Sequence, residues 1–93
     1  MAKRIGMGAL LLLLAACAQA PVQEMSDARQ AIQAAQTVLN GETQENLSKA
    51  KQLLFKAEEA LQEGEYSEAR DNAVAAKEQA MQAQQNAAQQ PAN

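Results

Sequence analysis

Few side chains in this 93-residue sequence can carry covalent or proton-transfer chemistry. There is no histidine and one cysteine, Cys17, so imidazole catalysis and histidine-based metal binding are excluded. The remaining candidates are carboxylates, at Glu58, Glu59, Glu63, Glu65, Glu68 and Asp71. Acids between lysines on a helix surface are usually solvated, and no glycine-rich phosphate loop or Ser-Lys elbow accompanies them. The sequence therefore predicts a non-enzymatic protein with no cofactor, no metal site and no small-molecule substrate.

Cys17 follows a segment with the layout of a secretory leader. Lys3 and Arg4 precede the apolar run 5–16, which is shorter than the roughly 20 residues that span a bilayer. The run ends in Leu14-Ala15-Ala16-Cys17, where small residues can enter a peptidase cleft and the cysteine offers a sulfur for thioether formation. The alternatives are an ordinary secretory signal with an incidental cysteine, or a buried apolar helix. A modified cysteine is favoured because Cys17 has no disulfide partner in its own chain.

Leu14-Ala15-Ala16-Cys17 resembles the lipobox of bacterial lipoproteins at all four positions. The resemblance implies transfer of diacylglycerol to the Cys17 sulfur, cleavage after Ala16 and acylation of the new amine. Two or more fatty chains give stable attachment, because each buried methylene contributes about 0.8 kcal/mol and a single chain binds reversibly. Residue 18 is alanine, and not the aspartate that resembles an inner-membrane retention signal in enteric lipoproteins. We therefore expect the protein at the inner leaflet of the outer membrane, facing the periplasm.

Removal of residues 1–16 leaves a short, acidic chain. Lys3 and Arg4 are two of the eight basic residues, and all eleven acids follow the leader, so six bases minus eleven acids gives a net charge of −5. With no basic stripe and only Phe55 and Tyr66 as aromatic residues, the chain lacks the side chains that bind nucleic acid or anionic lipid. The membrane is therefore expected as a partner only through the lipid.

Three amphipathic helices are predicted after the leader. Pro21 suits the start of the first, which is predicted over 22–39 and ended by Asn40-Gly41. The second is predicted over 44–63, with Thr43 as its N-cap, Gly64 as its stop and a Glu45 to Lys49 ion pair. The third is predicted to begin at Glu65 or Ser67. Apolar residues recur at spacings of three and four along each helix: Met25, Ala28, Ile32, Ala35 and Leu39; Leu47, Ala50, Leu54, Ala57 and Leu61; Ala69, Ala73, Ala76, Ala80, Ala83 and Ala87.

Alanine stripes let helices approach closely, so the second and third helices are expected to form a tight antiparallel hairpin with the first alongside. The predicted fold is all-α, a small three-helix bundle. Its segments are a signal peptide at 1–16, a lipidated tether at 17–21, a helical domain at 22–88 and a disordered tail at 89–93. Val74 and Met81 are placed at the edge of the alanine stripe, and Arg70 and Lys77 are expected to extend their stems along that edge.

The C-terminal part is rich in glutamine and alanine, with almost no charge from Gln79 onward. No large side chain anchors it, so a frayed or disordered end is expected. The alternative is that its glutamines form hydrogen bonds between helices of an oligomer.

Motifs spread over most of the chain also point to a known family. They are Leu14 to Cys17, Pro21 to Met25, Ala28 to Ile32, Ala57, Ala60, Leu61, Gly64 to Tyr66, Ala69, Arg70, Ala73 and Ala76. In these the chain resembles small Gram-negative lipoproteins of the domain of unknown function 4398 family. It departs from the family between Leu39 and Leu47, where Asn40-Gly41-Glu42-Thr43 replaces an Ala-Pro element. The resemblance implies a helical fold and an envelope location, without an activity.

Two functions fit these features. The first is a non-enzymatic envelope lipoprotein whose helical module acts as a spacer or binds a periplasmic protein. The second is a binding or chaperone-like module that shields an apolar ligand between its helices, which the few aromatic residues and narrow alanine spacing disfavour. A continuous coiled-coil spacer similar to the major murein lipoprotein is opposed by Gly41 and Gly64, which break the heptads, and by a C-terminal residue, Asn93, that is not lysine.

Overall fold

The computed structural model describes residues 19–39 and 44–89, and within them the chain forms three helices and no strand. The helices are α1 (Val22–Leu39), α2 (Glu45–Gln62) and α3 (Tyr66–Gln89). α3 packs most extensively against α2 and next against α1, whereas the contact between α1 and α2 is smaller. The predicted all-α fold and three-helix bundle are confirmed.

α1 and α3 run parallel, and α2 runs antiparallel to both. Arg70, near the start of α3, donates a hydrogen bond to the carbonyl of Gln19, three residues before the first residue of α1. Asn86, near the end of α3, instead donates to the side-chain oxygen of Asn46 at the start of α2. The predicted antiparallel hairpin is therefore confirmed. We call the end with Gln19 and the α2–α3 turn the tether end, and the end with Asn46 and Asn86 the amide end.

The core is a seam of mostly small side chains at alternating spacings of three and four residues. The buried residues of α3 are all alanines, whereas the larger buried side chains come from α1 and α2. A mean spacing of about 3.5 residues is typical of supercoiled helices, and small side chains favour the short end of the roughly 8–10 Å range of interaxial distances. The predicted stripes lie along this seam, but Leu54, Leu61 and Ala87 are only partly buried, and Ala60, which was not in the predicted stripe, is buried. The buried residues are Met25, Ala28, Ile32, Ala35, Leu39, Leu47, Ala50, Ala57, Ala60, Ala69, Ala73, Ala76, Ala80 and Ala83.

Gly64 ends α2 through a left-handed turn, as predicted. Its φ is +78°, a conformation that costs glycine little because it has no Cβ. The Gly64 N–H donates to the Leu61 carbonyl at 3.1 Å and the Glu65 N–H to the Ala60 carbonyl at 2.8 Å, the two bonds of a Schellman motif. α3 then begins at Tyr66, within one residue of both predicted starts.

Two predictions at the helix ends are corrected by the structure. Gln44, and not Thr43, occupies the N-cap position of α2, with extended backbone and no side-chain cap hydrogen bond. α3 continues to Gln89, so residues 79–89, where a frayed or disordered end was expected, are helical. The reason is that Ala80 and Ala83 continue the buried seam, so packing orders a stretch without large side chains. The Asn40-Gly41 stop and the tail beyond Gln89 lie outside the described residues.

Candidate interaction surfaces

Cys17, with the other lipobox residues Leu14, Ala15 and Ala16, lies outside the described residues. The description begins two positions after Cys17, at Gln19. Lipid attachment to Cys17 and cleavage after Ala16 therefore stay predictions. The structure does show how the residues immediately downstream of the cysteine are attached to the bundle.

The end of the predicted tether packs against the bundle. Pro21 is buried, and its carbonyl accepts the Met25 N–H at 3.0 Å, which joins the tether to the first turn of α1. Arg70 Nη2 donates to the Gln19 carbonyl at 3.3 Å, and Arg70 Nε lies 3.9 Å from Glu24 Oε2. Sequence reasoning placed Arg70 only along the core edge, whereas the structure shows that it connects α3 to the tether. An open hollow of about 630 Å³ beside it is lined by Gln19, Ala20, Val22, Gln23, Glu24 and Arg70.

Amide side chains connect α2 to α3 at the amide end. Asn46 Nδ2 donates to Gln79 Oε1 at 2.8 Å and to Gln82 Oε1 at 3.1 Å, and Asn46 Oδ1 accepts from Asn86 Nδ2 at 3.1 Å. An amide supplies both donors and an acceptor, which is why one asparagine can serve three partners. These bonds join the start of α2 to the second half of α3. The glutamines expected to pair between molecules therefore partly pair within one chain.

The carboxylates that sequence reasoning considered for chemistry lie on the surface. Glu58 is 3.7 Å from Arg29, with both side chains about half exposed. A hollow of about 170 Å³ near the α2–α3 turn is lined by Lys56, Glu59, Ala60, Glu63 and Glu68. Over residues 19–39 and 44–89, no group of three or more His, Cys, Asp or Glu side chains is arranged to hold a metal ion. The predicted Glu45–Lys49 pair is confirmed, with 3.7 Å between Oε1 and Nζ.

A third surface, the α1–α3 face, follows the outer groove between these two parallel helices. Its residues recur at seven-residue intervals, which keeps them on one side of each helix. Contacts across the groove join Glu24 to Arg70, and Gln84 Nε2 to the Ala31 carbonyl at 3.1 Å. The face comprises Glu24, Asp27, Ala31, Ala34 and Val38 from α1, and Arg70, Val74, Lys77, Met81 and Gln84 from α3. Lys77 is half-buried, in keeping with its predicted place at the core edge.

None of the helices in the described part of the chain combines the length and apolar character that crossing a membrane requires. Comparison of the chain with protein-family models, curated proteins and solved structures found no match. The resemblance to the domain of unknown function 4398 family therefore stays a prediction from the motifs described above.

Proposed function

We propose that this chain is an outer-membrane lipoprotein whose periplasmic helical domain has a non-enzymatic structural or protein-interaction role in the cell envelope. The observation that carries the proposal is the Leu14-Ala15-Ala16-Cys17 string at the end of an apolar leader. The bundle supports it, because Gln19 and Pro21, which follow closely after the expected cleavage point, are already attached to the helices. The resemblance to the domain of unknown function 4398 family points in the same direction.

The shortness of the tether favours a spacer or scaffold close to the membrane. Two residue steps separate Cys17 from Gln19, which corresponds to about 7 Å of fully extended chain. Because Pro21 is buried and Gln19 is held by Arg70, little slack lies between a lipid on Cys17 and the bundle. The tether end is then expected beside the lipid head groups. The 24 residues of α3 span about 36 Å, so the amide end is expected to extend into the periplasm when the bundle stands upright.

The described surfaces favour an interaction role over ligand shielding. Alanines fill the seam between the helices with no exposure, as at Ala35, Ala50 and Ala80, so these positions are occupied by the protein itself. Three large apolar side chains, Val38, Val74 and Met81, are instead exposed on the outside, along the α1–α3 face. Exposed apolar side chains grouped on one face are typical of a surface that another protein covers.

Substitution of the cysteine tests the anchor. In a Gram-negative host grown with labelled palmitate, we expect the wild-type chain to be labelled and shortened by its leader. Cys17→Ser is expected to be unlabelled and uncut, because it lacks the thiol that accepts diacylglycerol. Ala18→Ser is the matched control and is expected to behave as wild type. A Cys17→Ser chain processed to the normal mature size would contradict the proposal.

Membrane separation tests the location. We expect the wild-type protein in the outer-membrane fraction of a density gradient, and Ala18→Asp in the inner-membrane fraction, in a host that uses aspartate at this position as a retention signal. Wild-type protein that fractionates with the inner membrane of the same host would contradict the outer-membrane assignment while leaving lipidation intact.

A further inference from the structure

The α1–α3 face carries a strip of three exposed large apolar side chains. Val38 is 50% exposed, Val74 41% and Met81 44%. These are three of the six large apolar residues that are exposed within residues 19–39 and 44–89. On α1, Ala31 and Ala34 precede Val38 on the same side of the helix, and on α3 Lys77 lies between Val74 and Met81. Covering this strip would remove apolar surface from water, which stabilises association.

The α1–α3 face carries no net charge. The face holds two acids, Glu24 and Asp27, and two bases, Arg70 and Lys77, and is therefore neutral. The other residues from Cys17 onward include nine acids and four bases. Their net charge is four minus nine, or −5, which is the whole net charge of the mature chain. A second copy that approached through the acidic residues around the α2–α3 turn, Glu63, Glu65, Glu68 and Asp71, would meet like charge, which is unfavourable. Approach through the α1–α3 face avoids that repulsion.

The heights of residues along the bundle suit a parallel pair of copies. Met25 and Ala73 share one core cluster, so they mark a common level on α1 and α3. Toward the amide end, Asp27 lies about 3 Å beyond Met25 and Lys77 about 6 Å beyond Ala73, because each helical residue rises 1.5 Å. Around a two-fold axis parallel to the bundle, α1 of each copy faces α3 of the other at equal height. Asp27 then meets Lys77 of the second copy, and the contact occurs twice.

The apolar residues match in the same arrangement. Ala34 lies about 14 Å beyond Met25, and Met81 about 12 Å beyond Ala73, so the long methionine side chain of one copy faces the small alanine of the other. Within one chain, Arg70 already has Glu24 as its ion-pair partner. Lys77 forms no ion pair inside the described part of its own chain, which leaves its ammonium for the contact between copies.

We infer that the α1–α3 face binds a second copy of this chain, with the two bundles side by side and parallel. This inference names the partner for the proposed interaction role and rests on that role, but does not depend on the lipid. Attachment of both copies to one membrane would add to the affinity, because it sets their orientation and raises their effective concentration. Stable protein–protein interfaces bury about 1,200–2,000 Å² of surface in total. Three exposed apolar side chains from each copy cover a smaller area, so association is expected to be weak in dilute solution.

Cross-linking of two differently tagged full-length copies in living cells tests the pairing. One copy carries Ala34→Cys and the other Met81→Cys, and a short bis-maleimide reagent is added to intact cells. We expect a cross-linked species that contains both tags. Replacement of Met81→Cys by Phe55→Cys, on an exposed residue of α2, is the matched control and is expected to give little of that species. Equal yields from the two pairs would overturn the inference.

Charge reversal gives a test that depends on contact between molecules. Asp27→Lys in both copies places two lysine pairs in the interface, and Lys77→Asp in both copies places two aspartate pairs there. Each is expected to lower the cross-linked yield about five- to tenfold, because two modest attractions become repulsions. Combining one Asp27→Lys copy with one Lys77→Asp copy restores opposite charges at both contacts, and the yield is expected to recover.

Recovery in the mixed pair cannot arise from pairing within one chain or from altered folding. Asp71→Lys and Lys56→Asp make the same changes of charge away from the α1–α3 face and are expected to leave the yield unchanged. A mixed pair that stays as low as the homotypic pairs would overturn the inference. Palmitate labelling of the same cells reports separately on Cys17, so failure of the anchor and failure of the pairing are distinguishable.

Discussion

The tether end and the amide end of the bundle are stabilised by different chemistry. The tether end has a small buried cluster, Met25, Ala57 and Ala73, and the ion pair between Glu24 and Arg70. The amide end has a larger cluster, and neutral side-chain hydrogen bonds join its helices. Exposed ion pairs contribute about 0–1 kcal/mol and weaken with salt, whereas a neutral hydrogen bond contributes about 0.5–1.5 kcal/mol without that dependence. The two ends should therefore respond differently to mutation and to ionic strength.

The largest effect is expected from Met25→Ala at the tether end. Met25 is the largest fully buried side chain of the described residues, and truncation of a buried methionine costs about 2–5 kcal/mol. A bundle of this size has a total stability of similar magnitude, so most of the helical signal should be lost in thermal melts followed by circular dichroism. Phe55→Ala is the matched control, because Phe55 is 62% exposed and its truncation should cost less than about 0.5 kcal/mol. Similar melting of the two variants would contradict the assignment of Met25 to the core.

A smaller loss is expected from Ala80→Leu at the amide end. Ala80 is fully buried where α3 meets the other two helices, and overpacking of such a site costs about 1–3 kcal/mol. Urea denaturation should show a lower midpoint, and hydrogen exchange should rise in α3 beyond Glu78. Gln52→Leu adds a leucine on the exposed side of α2 and should leave the midpoint nearly unchanged. An unchanged midpoint for Ala80→Leu would mean that the seam is looser than the structure shows.

Asn46→Ala should cost about 0.5–1.5 kcal/mol, because it removes the residue that connects α2 to three amides of α3. Urea denaturation at low and high sodium chloride should give the same loss, since the lost bonds are between neutral groups. Gln52→Ala, at an exposed amide of the same helix, serves as the control. A loss that disappears at high salt would show that charges, and not amides, stabilise this end.

The smallest effect is expected from Glu24→Gln, which removes the ion pair with Arg70 but keeps the size of the side chain. Both groups are partly exposed, so the loss should be at most about 1 kcal/mol at low salt and should shrink as salt is added. Urea denaturation at low and high sodium chloride measures this loss of stability. Asp71→Asn removes an exposed acid of α3 as the control. A salt-independent loss for Glu24→Gln would remove the contrast between the two ends.

Much of the fold could be predicted because the sequence encodes it by spacing. The bounds of α1, the Gly64 stop and the buried faces of all three helices follow from apolar residues three and four apart and from single punctuating residues. For α3 after Gln79, two features of the sequence pointed in different directions. The alanine stripe continues through Ala80, Ala83 and Ala87 and indicates a helix, whereas the absence of large side chains indicated a frayed end.

The surface contacts were less accessible to sequence reasoning. The hydrogen bonds of Asn46 and the bond from Arg70 to the Gln19 carbonyl join residues that are 33 to 51 positions apart in the sequence. Polar side chains have no periodic spacing that identifies such partners. The α1–α3 face was only partly visible, through the placement of Val74, Met81 and Lys77 at the core edge. Its neutrality could be recognised only after the structure had shown that α1 and α3 lie parallel and side by side.

Leu54 gives the bundle a further property, because it packs against both core clusters. Helical proteins often open in separate cooperative units, and two clusters in one short bundle could behave as two such units. A side chain shared between them couples the two clusters, because opening of either end removes packing from Leu54. We therefore expect Leu54 to be the residue through which a packing change at the tether end affects the amide end.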